Sequence, residues 1–371
     1  MLIGVPKEIK NNEFRVGMTP ESVVAAIAHG HQVIIETNAG IGIGADDACY
    51  EQMGATIAPD AKSIFDQAEM IVKVKEPQAN ERKMLRDGQI LYTYLHLAPD
   101  PEQTHDLVDS GAICIAYETI TDDKGALPML KPMSQVAGRL SIQAGATALE
   151  KTHGGLGCLL GGVPGVTPAK VVIIGGGVVG FNAAQMAVGL QADVTILDTN
   201  ANSIERLSNY FGASAKVIHS NHAILKAEVS QADLVIGAVL IPGSAAPKLV
   251  TKSMLGEMKS GAVLVDVAID QGGCFETSKA TTHADPTYII DNIVHYCVAN
   301  MPGAVPRTST YALNNATLSG LLAIADKGWK QALKDDLHLR KGLNVAKGKV
   351  TYKAVAELLG YDYIKAESLL N

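Results

Sequence analysis

Four side chains that can bind charge or exchange protons stand at the ends of apolar runs or in the first loop of the chain: Arg15, Lys75, His96 and Asp270. A histidine exchanges protons near neutral pH, and a carboxylate can also act as an acid or a base. Arginine binds a carboxylate through two hydrogen bonds, and lysine offers a point charge to a carbonyl oxygen. Taken singly, however, Arg15 and Lys75 also fit solvated surface charges, and His96 fits a structural histidine.

Asp270 is favoured as functional over a loop cap because of its context. It follows the run VLVDVAI and precedes QGG, whose glycines let the backbone approach a ligand. Asp266, four residues earlier, is the alternative acid, but its place inside the run favours a structural role.

The clearest local signal is a glycine-rich turn between two apolar runs. The run Lys170–Ile174 is followed by Gly175, Gly177 and Gly180 in G-x-G-x-x-G spacing, then by a helical stretch and a second run that ends in Asp198. These glycines allow a tight turn, close approach of the backbone to a pyrophosphate, and packing of helix on strand. Asp198 is placed to accept hydrogen bonds from ribose hydroxyls and to repel a 2′-phosphate. The segment predicts a dinucleotide site that prefers NAD to NADP.

Apolar runs that read as strands alternate with helical stretches, which predicts βαβ units and mainly parallel sheets. The predicted strands are His31–Glu36, Met70–Val74, Ile90–Leu95, Ala112–Ala116, Lys170–Ile174, Asp193–Leu197, Ala215–His219, Leu234–Ala238 and Ala262–Val267. Helices are predicted over Ser134–Lys151, with Ser134 as N-cap, and over Leu313–Lys334; the tail reads as two short amphipathic stretches. Ligands bind beyond the carboxyl ends of such strands. The predicted cofactor groove therefore includes Ser220, Val239–Leu240, Val267–Asp270 and Val298–Met301.

The expected fold is α/β with two domains. A Rossmann NAD-binding domain, residues 134–302, is inserted in a second α/β, Rossmann-like substrate domain formed by residues 1–133 and 303–371. The length of 371 residues fits this division, since single cores stop growing near 250–300 residues.

Charge and composition narrow the function classes. The formal net charge is −7 without a basic run, which argues against a nucleic-acid partner. No signal peptide and no apolar stretch of about 18 residues is evident, so no membrane association is expected. The five scattered cysteines indicate reduced thiols in a cytoplasmic protein. No metal-ligand spacing is evident, and no metal is expected.

Seven segments together resemble the bacterial L-alanine dehydrogenases, in order and spacing over essentially the whole chain. They are IGVPKEIKNNEFRVGMTP, VKVKEP, YLHLAP, YETI, GVPGVTPAKVVIIGGGVVG, VDVAIDQGG and NMPGAVPRTST. The opening segment alone is also similar to the NAD-binding subunit of proton-translocating transhydrogenase and to saccharopine and lysine dehydrogenases. The contexts of Lys75, His96 and Asp270 favour alanine dehydrogenase.

The resemblance implies reversible, NAD-dependent oxidative deamination of L-alanine to pyruvate and ammonium by a homohexamer. It implies that Arg15 and Lys75 hold the substrate carboxylate and carbonyl oxygen, and that His96 and Asp270 are the acid/base pair. It also implies cofactor contacts from Ser134, Val178, Val179, Asp198, Ser220, Val239, Leu240, Val267, Ala268, Ile269, Asp270, Lys279, Val298, Ala299, Asn300 and Met301.

One position departs from the family pattern. Many relatives carry Arg or Lys shortly after the acid of the second strand, where this chain has Ser203. The cationic contact to the adenosine end is then either missing or supplied by Arg206. The rival readings are a partner-dependent NAD-binding subunit of the transhydrogenase type, a saccharopine- or lysine-type dehydrogenase, and a catalytically silent binding protein.

Overall fold

The computed structural model describes residues 1–239 and 246–371. The chain forms two compact units. Unit 1 comprises Met1–Met133 and Val305–Asn371, and unit 2 comprises Ser134–Ala304. The domain boundaries stated from the sequence, 1–133, 134–302 and 303–371, remain a prediction.

The strands alternate with helices along most of the chain. The strands are β1 (Leu2–Val5), β2 (Gln32–Glu36), β3 (Thr56–Ala58), β4 (Met70–Val72), β5 (Ile90–Thr93), β6 (Ile113–Ala116), β7 (Lys170–Ile174), β8 (Asp193–Asp198), β9 (Lys216–His219), β10 (Leu234–Gly237), β11 (Val263–Asp266), β12 (Thr287–Ile290), β13 (Ile293–Tyr296), β14 (Leu343–Ala346) and β15 (Lys349–Val350).

The helices vary from single turns to a helix of 30 residues. They are α1 (Pro20–Ala28), α2 (Asp47–Gln52), α3 (Ala61–Gln67), α4 (Ala79–Arg82), α5 (Pro101–Ser110), α6 (Lys131–Ala148), α7 (Val178–Gly189), α8 (Ala201–Phe211), α9 (His222–Ser230), α10 (Lys252–Leu255), α11 (Pro306–Asp335), α12 (Leu337–Arg340) and α13 (Lys353–Leu359). Among the described residues, no helix is long and apolar enough to cross a membrane.

Each unit is built on one mainly parallel sheet. The strand order is β15-β14-β6-β5-β4-β1-β2-β3 in unit 1 and β12-β13-β11-β10-β7-β8-β9 in unit 2. In unit 1, β14 runs antiparallel to β6 and β15; in unit 2, β12 runs antiparallel to β13. The predicted two-domain α/β class is confirmed.

The interior strands are apolar because both of their faces are covered. All residues of β5, β6, β10 and β11 are buried. The edge strand β9 is only half-buried or exposed along its length. The predicted interior strands therefore lie where expected, whereas the predicted ends at Val74 and Leu95 extend two residues too far.

The predicted helix over Ser134–Lys151 is wrong in its bounds. Helix α6 begins at Lys131, so Ser134 lies inside the helix and does not cap it. Pro132 does not block this start, because the first turn of a helix has no use for the proline's missing N–H.

The C-terminal region also differs from the prediction. Helix α11 begins at Pro306, before the predicted Leu313, and has an interruption at Gly328 with φ 74°. The predicted amphipathic stretches of the tail are in part the strands β14 and β15, which extend the unit 1 sheet beyond β6.

Candidate active site

In unit 1, the candidate residues follow neighbouring strands at one edge of the sheet. Strand β1 lies between β2 and β4, and the chain switches there from one side of the sheet to the other. Such a switch point is where open α/β sheets bind ligands. Lys75 follows β4 and His96 follows β5, while Arg15 lies in the loop between β1 and α1.

Arg15 is held in a bidentate ion pair with Glu13. The Arg15 Nε and Nη2 atoms donate to the two Glu13 carboxylate oxygens, each over 2.6 Å, and Arg15 Nη1 contacts the Met133 sulfur at 3.0 Å. Arg15 is only 2% exposed. Burial alone would lower the pKa of Arg15, but the Glu13 carboxylate more than offsets this and holds the pKa above its ordinary value. The guanidinium is therefore a fixed positive charge.

The two lysines that follow β4 have different surroundings. Lys73 is fully buried, and its Nζ lies 3.0 Å from Glu8 Oε2 and 2.8 Å from Glu81 Oε1. These two carboxylates raise the pKa of Lys73 despite the opposing effect of burial. Lys75 is half-buried, and its backbone N–H donates to Glu8 Oε1 over 3.2 Å. Lys73 is thus bound within an internal ion-pair cluster, and Lys75 is the more accessible of the two.

Glu8 also determines where the chain leaves β4. Its Oε1 atom accepts hydrogen bonds from the backbone N–H groups of Val74, at 2.6 Å, and Lys75. Burial raises the pKa of Glu8, and Lys73 only partly lowers it. This carboxylate lies three residues after β1, and it contacts the backbone just beyond the end of β4.

His96 occupies a turn of unusual backbone conformation. Its φ is +51°, a left-handed value that few non-glycine residues adopt. Its N–H donates to Glu118 Oε1 over 2.6 Å, and its side chain is exposed between the buried Leu95 and Leu97. The imidazole stacks on the Tyr94 ring, with centroids 5.9 Å apart. The described neighbours thus present the His96 ring at the carboxyl edge of the unit 1 sheet.

In unit 2, the glycine-rich turn connects β7 to α7. Gly175 has a φ of +100°, and a Cβ on Gly180 would lie 1.8 Å from the carbonyl oxygen of Gly175, so both positions require glycine. Among the described residues, which leave out 240–245, no heavy atom lies within 4 Å of where a Cβ on Gly177 would stand. In the part of the chain that the structure describes, no side chain caps the N-terminus of helix α7, which starts at Val178. An uncapped helix start beside an open glycine fits a pyrophosphate.

Asp198 ends β8 and orders the same turn. Its Oδ2 atom accepts the N–H of Gly176 at 2.7 Å, and its Oδ1 atom accepts the N–H of Asn200 at 2.8 Å. Each carboxylate oxygen has a second lone pair, so both can still accept a ribose hydroxyl.

Ser203 and Arg206, both in α8, make different contacts. Ser203 donates its N–H to the Asn200 side chain at the start of α8. Arg206 donates from Nη2 to the carbonyl oxygen of Gly176 over 2.8 Å, and its guanidinium lies 5.2 Å from the centre of the Phe181 ring. Arg206, in α8, therefore stabilises the glycine-rich turn through this hydrogen bond.

The two acids after β11 have separate roles. Asp266 is fully buried and accepts hydrogen bonds from the Ala268 and Phe275 N–H groups and from the Ser278 hydroxyl. It fixes the loop that contains Asp270, in agreement with the structural role predicted for it. Asp270 is exposed, and its Oδ1 atom accepts the N–H of Asn300 at 3.3 Å.

Most other residues predicted to contact the cofactor follow strands of the unit 2 sheet. Ser220 follows β9, Val239 follows β10, and Val267–Ile269 follow β11, while Val298–Met301 come after β13. Lys279 stacks its Nζ 5.1 Å above the Tyr288 ring. Leu240 lies outside the described residues. Ser134 lies within α6, far along the chain from these strand ends.

The sequence analysis does not single out Glu8, Glu13 and Glu118, three unit 1 carboxylates that bond to Lys75, Arg15 and His96. Each stands within a segment quoted above for its family resemblance, but their roles depend on contacts across the sheet. One signal was available for Glu118, because it lies two residues after the predicted strand Ala112–Ala116. Among the residues that the structure describes, no group of three or more potential ligands could hold a metal ion.

Family models and full-length relatives both identify this chain as similar to alanine dehydrogenases. The models of the family domains named "Alanine dehydrogenase/PNT", N-terminal and C-terminal, match residues 4–137 and 141–353. The alanine dehydrogenase of Halomonas elongata is 58% identical over 370 residues, which is 100% of both chains. The alanine dehydrogenase of Bacillus subtilis is 56% identical over 371 residues, covering 100% of this chain and 98% of the other.

Solved structures give the same result for the fold. A structure of an L-alanine dehydrogenase has a TM-score of 0.95 and 52% identity, covering 97% of this chain and 99% of the other. A transhydrogenase structure from Sinorhizobium meliloti has a TM-score of 0.82 at 24% identity, covering 95% of this chain and 100% of the other, which indicates a shared fold.

Proposed function

The chain belongs to the alanine dehydrogenase/PNT family, and from this premise we propose that it oxidises L-alanine to pyruvate and ammonium with NAD, and catalyses the reverse reductive amination. The observation that carries the proposal is the full-length identity of 58% to an alanine dehydrogenase. The positions of Arg15, Lys75, His96 and Asp270 support it, because each belongs to a segment typical of that family.

We propose that unit 1 binds the amino acid. Arg15 supplies a buried, permanent positive charge for the substrate carboxylate, and Glu13 fixes the plane of its guanidinium. Lys75 supplies a second positive charge, for the carbonyl oxygen of pyruvate. Its backbone is fixed by Glu8, so the lysine side chain starts from a defined point.

We propose that unit 2 binds NAD through the turn Gly175–Gly180 and Asp198. The open space at Gly177 and the uncapped start of α7 fit the pyrophosphate, and Asp198 fits the ribose hydroxyls while its negative charge opposes the extra phosphate of NADP. The remaining predicted contacts are Ser134, Val178, Val179, Ser220, Val239, Leu240, Val267–Asp270, Lys279 and Val298–Met301. The oxidised nicotinamide ring, when bound, accepts a hydride from Cα of the amino acid.

His96 and Asp270 are the proposed acid/base pair. Oxidation leaves an iminium carbon on the substrate, and water must lose a proton as it adds to that carbon. The amino group must then gain a proton to leave as ammonia. An exposed imidazole can take and return a proton near neutral pH, and the exposed Asp270 carboxylate can assist the same transfers.

The experiment that tests the proposal measures the rate of NADH formation by the purified protein at alkaline pH. L-alanine, L-lysine, L-serine and D-alanine are compared, with NADP in place of NAD as a further arm. We expect a strong rate with L-alanine and NAD, reduced roughly 10²- to 10⁴-fold by His96→Ala or Asp270→Ala. Absence of a rate with every amino acid, despite measurable NADH binding, would instead favour a partner-dependent NAD-binding subunit.

We further infer, from the family resemblance, a cytoplasmic homohexamer. An exposed apolar stretch in unit 2 supports association of the chain: Leu159, Val163 and Val166 are 67%, 54% and 62% exposed. Apolar surface of this kind is often covered by a partner. A light-scattering mass of about six chains in solution is the expected result; a monomer would contradict it.

A further inference from the structure

Just beyond the end of β5, the backbone N–H groups of two residues lie outside the strand and need hydrogen-bond acceptors. The N–H of Tyr94 still donates to the carbonyl oxygen of Val74, over 3.3 Å. The next two residues, Leu95 and His96, lie beyond the end of β5. Leu95 is fully buried, and a buried backbone N–H without an acceptor is strongly disfavoured, so its amide needs an acceptor from elsewhere.

Glu118 supplies that acceptor for both amides. Its Oε1 atom accepts the N–H of His96 at 2.6 Å and the N–H of Leu95 at 3.1 Å, and its Oε2 atom lies 3.2 Å from the same Leu95 nitrogen. A carboxylate that accepts two backbone N–H groups forms charge-assisted hydrogen bonds, which are stronger than neutral ones. Glu118 therefore closes the turn that carries His96.

The sheet places Glu118 opposite this turn. Strands β5 and β6 are parallel neighbours, and Thr93 at the end of β5 pairs with Ala116 at the end of β6. A short 3₁₀ turn over Tyr117–Thr119 follows directly and carries Glu118. The carboxylate is thus half-buried beside the amides instead of extending into solvent.

The rest of the turn is fixed by other side chains, but none of these replaces Glu118. The fully buried Gln103 donates from Nε2 to the carbonyl oxygen of Leu95 at 2.6 Å. The hydroxyl of Tyr94, whose ring stacks on His96, donates to the carbonyl oxygen of Met129 at 2.6 Å. Glu118 alone among these groups accepts from the His96 N–H, at the residue with the left-handed φ of +51°.

We propose that Glu118 is a positioning residue for His96: its carboxylate holds His96 in its left-handed backbone conformation and thereby orients the imidazole. The proposal rests on the function proposed above, in which His96 transfers protons. Small displacements of a catalytic group reduce turnover steeply, on the order of 10²-fold for about 1 Å.

The test compares three substitutions of Glu118. Glu118→Ala removes the acceptor, and we expect kcat for L-alanine oxidation to fall roughly 10- to 100-fold. The KM for L-alanine should stay within about threefold, because Arg15 and Lys75 are unchanged. Glu118→Gln keeps one carbonyl oxygen, which can accept both N–H groups as Oε1 does now, and should restore most of kcat. Glu118→Asp is one methylene shorter and should remain slow.

Asp122→Ala is the matched control. Asp122 is also a half-buried carboxylate of unit 1, and it accepts two backbone N–H groups, those of Lys124 and Ala126. We expect this variant to lower the melting temperature about as much as Glu118→Ala while keeping kcat. If Asp122→Ala lowers kcat as much as Glu118→Ala, or if Glu118→Gln fails to restore it, Glu118 has only a structural role and the proposal is wrong.

A second measurement does not depend on turnover. Hydrogen–deuterium exchange of the peptide that contains Leu95 and His96 should be slow in the wild type and in Glu118→Gln, and faster in Glu118→Ala. Unchanged exchange in Glu118→Ala would overturn the proposal even if activity fell. A wild-type protein inactive on L-alanine would refute the proposed function, whereas the exchange measurement would still decide whether Glu118 holds the turn.

Discussion

Lys73 and Lys75 lie two residues apart in the same segment, yet their surroundings assign them different tasks. Lys73 has no exposed surface and contacts two carboxylates, Glu8 and Glu81. A buried charge of this kind stabilises only while its partners are present, because removing one partner leaves the others uncompensated. Lys75 is half-buried, and its backbone N–H donates to Glu8.

The first prediction separates the two lysines. Lys73→Met leaves two buried carboxylates without a counter-charge and should reduce the free energy of unfolding by about 3–5 kcal/mol. Lys75→Met, at a half-buried position, should lower the free energy of unfolding less than Lys73→Met does, but should reduce turnover of L-alanine roughly 10²- to 10³-fold, as removal of a charge-stabilising donor does. Urea denaturation and initial rates measure the two effects, and each variant is the control for the other. A stable but inactive Lys73→Met protein would mean that Lys73, and not Lys75, acts in turnover.

The sequence predicts residue types at this site better than it predicts their partners. The side-chain types of Arg15, Lys75 and His96 show what charge or proton chemistry each can perform, and the family resemblance favours their functional roles. The carboxylates that hold them could not be assigned in this way. Glu8 reaches Lys75 across 67 positions of the chain, and Glu118 reaches His96 across 22, so both contacts exist only after the sheet has formed.

At the scale of elements, the start of α7 depends on how closely α6 approaches it. A Cβ on Gly138 of α6 would lie 2.2 Å from the carbonyl oxygen of Val179 in the first turn of α7. That distance is far below any van der Waals contact with backbone, so only glycine allows the two helices to pack as they do. The glycine thus helps to position the turn of Gly175–Gly180 without belonging to it.

The second prediction tests this packing. Gly138→Ala should push the first turn of α7 away and raise the Kd for NADH about tenfold, with a loss of stability of about 1–3 kcal/mol from overpacking. Gly189→Ala, at the other end of α7, is the matched control. No atom of residues 1–239 or 246–371 lies within 4 Å of its Cβ position, so this variant should bind NADH normally and be more stable by about 0.5–1 kcal/mol. Fluorescence titration of NADH measures both; equal affinities would contradict the role of Gly138.

The elements themselves were predictable to different degrees. Interior parallel strands such as β7 and β10 were predicted to within a residue, because burial on both faces makes them continuously apolar. Outer strands such as β3 and β15 escaped prediction, since they have three and two residues and lack such a run. Strand β14 pairs with β6 from more than 200 positions away, a long-range contact that no local pattern reveals.

At the scale of the whole molecule, both units follow one winding rule. In unit 1 the chain forms β1, β2 and β3 outward on one side and then returns to place β4 beside β1; in unit 2 it forms β7, β8 and β9 and then returns to place β10 beside β7. Ligands bind such sheets beyond the carboxyl ends of the strands at the switch point. One rule therefore gives two ligand regions, with the candidate substrate residues in unit 1 and the candidate cofactor residues in unit 2.

This division implies that substitutions in unit 2 can weaken cofactor binding, whereas substitutions in unit 1 can reduce turnover without weakening it. Gly177→Ala adds a methyl group where no atom of the described residues lies within 4 Å, so the variant should fold normally. The same methyl group would stand where the backbone must approach the pyrophosphate, and the Kd for NADH should rise at least tenfold. Lys75→Met and His96→Ala alter only unit 1 and should keep the Kd for NADH within about twofold of the wild type while losing turnover. Isothermal titration with NADH distinguishes the two groups of variants. If the unit 1 variants lose NADH affinity as strongly as Gly177→Ala does, the two ligand regions are not independent and the assignment of one ligand to each unit fails.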